Sequence, residues 1–88
     1  MNLSPSGTVM NLENAAISLE AVRDALARDG QSEAARTLKG LEVNSTIGAS
    51  VALSALRSLN ADTEEARDVL SWAILTCERA STSDGYAA

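Results

Sequence analysis

Eighty-eight residues of net charge −5 hold sixteen alanines and eleven leucines, but no histidine, no phenylalanine, and only one each of cysteine, tryptophan and lysine. That inventory removes zinc, copper and iron–sulfur centres, which need imidazole or several thiolates. It also argues against nucleic-acid binding, which needs clustered Lys and Arg.

A chain this short makes one domain. Its unbranched apolar residues favour helix, and its lack of aromatics disfavours a sheet core. A lone cysteine cannot close an internal disulfide, no signal segment is seen, and no stretch approaches the ~18 apolar residues of a membrane span. A cytoplasmic protein without a membrane partner is expected.

Residues 1–8, with Ser4-Pro5-Ser6-Gly7, read as a flexible lead. The first helix is predicted over about 9–29, with Thr8 as N-cap. Leu12, Ala15, Leu19, Val22 and Leu26 fall on one face, and Gly30 stands where a left-handed residue would end the helix.

The second helix is predicted over 32–59, with Glu33 favourably placed in its first turn. Ala34, Leu38, Leu41, Ser45, Gly48, Ala52, Ala55, Leu56 and Leu59 share one arc. The patch Val43-Asn44-Ser45-Thr46 is β-branched and cap-forming, so a break near Asn44, giving four helices, is the alternative. Retained phase across the patch favours one continuous helix.

The third helix is predicted over 63–80, opened by a capping box of Asp62 and Glu65. Ala66, Val69, Leu70, Ala73, Ile74, Cys77 and Ala80 make its stripe, and 81–88 read as a flexible tail. The expected architecture is an all-α antiparallel bundle of three helices in one domain spanning 9–80.

No residue pattern points to catalysis. Cys77 lies in an apolar stripe with no histidine in the chain to activate it, and the serines have none either. The acids Asp62, Glu64, Glu65 and Asp68 suit a helix N-terminus better than a cation, because no calcium-loop spacing or central glycine accompanies them. Neither a metal nor a cofactor is expected. Glu20–Arg23, Asp24–Arg28, Glu33–Arg36 and Glu64–Arg67 are spaced as exposed helical ion pairs. Ser50, Ser54 and Ser58 read as a wet face.

One feature exceeds what a small bundle needs. Trp72 and Leu75 fall off the core stripe of the third helix, flanked by Asp68 and Arg79. Met10, Ile17 and Ala21 lie opposite the stripe of the first helix, and Val43, Ile47 and Val51 lie off that of the second. Tryptophan is strongly enriched in binding hot spots.

The expectation is a non-enzymatic module that binds another protein through Trp72, Leu75, Asp68, Arg79, Ile17 and Met10, acting sterically as an inhibitor, antitoxin or adaptor. Compact acidic chains of this type include phage-encoded inhibitors of host defence such as anti-CRISPR proteins, an analogy of type and not of motif. The alternative is a self-assembling structural or scaffold protein, a homodimeric helical bundle.

Overall fold

The computed structural model describes residues 4–87, with side chains from Met10 to Thr82. All regular structure among them is helical: α1 (Ser4–Arg28), α2 (Ser32–Lys39), α3 (Thr46–Arg57) and α4 (Glu64–Ala87).

α1 begins earlier than expected, so Ser4–Thr8 are helical and Thr8 is not its N-cap. Pro5 falls in the first turn, where its missing N–H would lack an intrahelical partner anyway. The other end follows the sequence. Gly30 takes φ +83°, its N–H bonds the Ala27 carbonyl at 3.2 Å, and the Gln31 N–H bonds that of Leu26 at 2.8 Å. Together these form a Schellman cap.

The continuous helix over 32–59 does not form. α2 stops at Lys39, residues 40–45 are non-helical, and α3 starts at Thr46. Ser45 stands in extended geometry as the α3 N-cap, its hydroxyl accepting the Gly48 N–H at 3.1 Å. It is therefore exposed and not a core-stripe residue. Val43, expected off the stripe, is 7% exposed and belongs to the core. The break lets the chain turn Val43 inward from a loop, which a continuous helix would have carried outward.

α4 is capped by Thr63 and not by Asp62. The Thr63 hydroxyl accepts the Ala66 N–H at 3.1 Å and itself donates to Asp29 Oδ2 at 2.6 Å. Glu64 and Glu65 occupy the first turn, where the helix dipole favours them. The helix runs on through the expected tail to Ala87; Ala88 and Met1–Leu3 of the expected lead lie outside the described residues. Ser81 and Thr82 bond back to the Glu78 carbonyl at 2.9 and 3.2 Å, which reconciles weak helix formers with a helical backbone.

α1 and α4 form a long antiparallel pair, its register fixed by Ser18 opposite Thr76 and Asp29 opposite Thr63. α1 presents Ala15, Ser18, Val22 and Ala25 to this seam, and α4 presents Ala66, Val69, Ala73, Thr76 and Ala80. Alternating steps of three and four keep both rows aligned. Side chains this short allow axes near the lower end of the ~8–10 Å range for packed helices.

α2 and α3 lie over one side of the pair. Leu38, Val43, Ala49, Ala52 and Leu56 share a single core with Leu19, Val22 and Leu26 of α1 and with Leu70, Ala73 and Cys77 of α4. Leu26, Leu38 and Leu56 are its largest fully buried side chains, each contributing roughly 1.5–3 kcal/mol by burial.

Gln31 links the two ends of this cover. Its Nε2 donates to the Asn60 carbonyl and its Oε1 accepts the Asp62 N–H, both at 3.0 Å. The fold measures 46 × 20 × 15 Å, two helices wide and two layers deep.

Candidate functional site

Covering a helix pair on one side leaves the other side open. The outward residues of α4 each precede an inner-seam residue by one position, a rotation of about 100°. Glu65, Asp68, Trp72, Leu75 and Arg79 thus shadow Ala66, Val69, Ala73, Thr76 and Ala80. In α1, Asn14, Ile17, Ala21 and Asp24 shadow Ala15, Ser18, Val22 and Ala25 in the same way, and Met10 lies one step of four before Asn14.

Both outward rows lie on the side of their seam away from α2 and α3. They make one face of the α1–α4 pair. Trp72 is 44% exposed and Leu75 45%, Met10 and Ile17 each 60%. A large apolar side chain held this open forgoes roughly half of its burial energy.

The seam register sets Trp72 across from Ala21 and Val22, and Ile17 across from Thr76 and Cys77. Trp72, Leu75, Ile17 and Ala21 therefore occupy the same level of the face, and Met10 lies farther along α1. Asp68 and Arg79 bracket the tryptophan and leucine along α4, both exposed. The six residues expected to bind a partner stand on one surface. Ile47 and Val51, 76% and 50% exposed, lie on the outward side of α3 in the other layer and do not join it. The sequence pattern had Ala21 but not Asn14 in this row; the offset by one from the inner seam is the signal that finds it.

The one thiol of the described interior is unreactive at neutral pH. Cys77 is fully buried, and burial pushes its thiol up to about 11, far from the thiolate that nucleophilic chemistry needs. Among the described residues no group of three or more Cys, Asp or Glu is placed to hold a metal ion, and no helix is long and apolar enough to cross a membrane.

Among the described residues none of the four expected helical ion pairs forms, and two of their arginines make other contacts. Arg23 donates to the Leu38 and Lys39 carbonyls at 3.5 and 3.2 Å, closing the C-terminal end of α2, and Arg67 donates to the Ala61 carbonyl at 3.3 Å. An exposed ion pair instead links Arg57 to Glu78 at 2.6 Å, across α3 and α4. Ser50, Ser54 and Ser58 are exposed, as a wet face requires. A shallow groove between α1 and α2, lined by Glu20, Arg23, Asp24, Arg36 and Lys39, is open to solvent and mixed in charge.

No protein-family model matches the chain, and neither curated proteins nor solved structures give a significant match.

Proposed function

We propose that this protein is a non-enzymatic binding module whose working surface is the open α1–α4 face. The observation that carries this is the placement of Trp72 and Leu75, bracketed by Asp68 and Arg79, on the one side of the helix pair that the chain leaves uncovered. Exposed hydrophobes scattered singly need no explanation. Four gathered on one face, with an indole among them, resemble a hot spot and its polar rim.

Action would be steric, as in an inhibitor, antitoxin or adaptor: the face covers a functional surface of a larger protein. The complementary surface would offer an apolar cleft for the indole, a base toward Asp68 and an acid toward Arg79. A single buried thiol suits a reducing compartment such as the cytoplasm.

The test is affinity capture from source-cell lysate with wild-type and Trp72→Ala baits, and Ile47→Ala as a control on the other layer. A protein held by wild type and Ile47→Ala but lost by Trp72→Ala supports the assignment. Equal recovery by all three baits refutes it.

The second reading is self-assembly through the same face. The order of charged and apolar residues along α4 favours it.

A further inference from the structure

We propose that the open α1–α4 face takes a second copy of this chain, paired across a two-fold axis perpendicular to the helices. This pairing rests on the face being a protein-binding surface.

The outward row of α4 reads Glu65, Asp68, Trp72, Leu75, Arg79, Thr82, with steps alternating between three and four. That is the spacing of a helix–helix seam. Its midpoint falls between Trp72 and Leu75, and Asp68 and Arg79 stand equally far from it. When a second α4 is laid antiparallel about that midpoint, Trp72 meets Leu75 of the second copy and Asp68 meets Arg79. Symmetry makes each contact twice. Parallel docking instead sets Asp68 on Asp68 and Arg79 on Arg79.

The outward row of α1 behaves the same way. Met10, Asn14, Ile17, Ala21, Asp24 and Arg28 are symmetrically spaced about the level of Leu19. Antiparallel pairing there sets Ile17 on Ala21, a large side chain against a small one. Asn14 meets Asp24 and Met10 meets Arg28, while on α4 Glu65 meets Thr82. No position in either row brings like charges together.

A single axis must serve both rows, and the intramolecular register allows it. Ser18 opposite Thr76 and Asp29 opposite Thr63 bring Leu19 level with residues 73–75. The α4 midpoint lies between Ala73 and Ile74, at that same level. These two side-chain contacts belong to the α1–α4 seam, so the agreement comes from geometry independent of the outward rows.

The face is also large enough. The fold extends 46 × 20 × 15 Å, so a face along its length can approach the roughly 800 Å² per partner of a standard interface. The resulting dimer would join α1 and α4 of both copies in a four-helix core two layers thick, with α2 and α3 covering each outer side.

The test is sedimentation of the full chain from about 1 µM to about 1 mM, a span that resolves any dimer of ordinary affinity. Salt is kept low so that exposed ion pairs stay unscreened. Wild type should dimerise, with Trp72 emission moving blue as it does. Asp68→Arg and Arg79→Asp should each raise the dissociation constant about tenfold, because a single swap acts at both ends of a two-fold interface. Combining the two swaps should return the constant to near wild type, since the ion pairs re-form with reversed sense. Ile47→Asp should change nothing.

A wild type that stays monomeric throughout overturns the pairing, as does a double swap no tighter than the singles. A dimer lost with Ile47→Asp but kept with Asp68→Arg overturns it too. Should the dimer fail while Trp72→Ala still loses a captured protein, the pairing falls and the binding face stands. If neither effect is seen, both fall.

Discussion

Ser18 and Thr76 are the buried polar side chains of the described core, 0% and 7% exposed. Their hydroxyl oxygens lie 2.6 Å apart. Ser18 Oγ is also 2.9 Å from the Ala15 carbonyl, and Thr76 Oγ1 3.0 Å from that of Ala73. Two hydroxyls own two protons, so only two of these three bonds exist at once. One hydroxyl donates to the other, and the acceptor donates back to its own helix.

Thr76→Val keeps the shape and removes the bridge, but Ser18 can still donate to Ala15. Ser18→Ala leaves Thr76 free to donate to Ala73. Neither single change strands a buried donor, so each should cost about 1 kcal/mol, the net worth of a hydrogen bond, and not the full ~1–3 kcal/mol of an orphaned group. The second change then removes the remaining back-bond. The double variant should cost about 2 kcal/mol, close to the sum of the two singles.

Urea unfolding followed by far-UV circular dichroism would measure this, at one fixed protein concentration because self-association shifts apparent stability. A single substitution costing more than about 3 kcal/mol would show that no fallback acceptor operates. A double variant no less stable than either single would likewise show that the fallback bonds do not form.

Thr63→Ala should cost about 1 kcal/mol, since Thr63 caps α4 and holds Asp29, while Asp62→Ala should be near neutral; thermal melts compare the two. Gly30→Ala should cost roughly 1–2 kcal/mol because its backbone is left-handed although its surroundings are open. Gly48→Ala should also destabilise, by roughly 1–3 kcal/mol, despite alanine's helix propensity: an added Cβ would stand 2.6 Å from the Glu42 carbonyl oxygen. The Cys77 thiol is held protonated up to about 11 in the fold, against an ordinary value of 9.0. Its contribution to stability is therefore complete below pH 9.0 and is lost as pH rises through about 11. Denaturation midpoints should fall over that window less steeply in Cys77→Ala than in wild type.

The apolar stripes of α1 and α4 were legible in the sequence because a 3.6-residue period survives any detail of how the helices meet. So was the helix stop at Gly30. The middle of the chain departs from the expected single helix for a physical reason. α2 and α3 keep a common phase because both turn their apolar sides toward the same α1–α4 floor, and continuity is not needed for that. Gly40 and the Ser45 cap carried the true signal.

At the outer ends local propensity stops at Thr8 and Ser81, whereas the helical backbones of α1 and α4 run on past both. Thr63 stands out less than Asp62, which is spaced for a capping box with Glu65, although both residue types are good caps. The open α1–α4 face was legible as residues off the core stripe. That they share one surface was not, because the sequence does not state which side of the pair α2 and α3 cover.

The first and last helices are each other's main partner, and this bears on how the chain comes to fold. Most helical bundles assemble from neighbours in sequence and fold fast for that reason. Here the small-residue seam joins segments that enclose nearly the whole of α2 and α3, so the largest interface closes a long loop. During synthesis α1 has no seam to enter until α4 has been made. α2 and α3 have no complete floor to settle on before then. The nascent chain should therefore stay open and susceptible to proteolysis until α4 has emerged, then gain order in one late step.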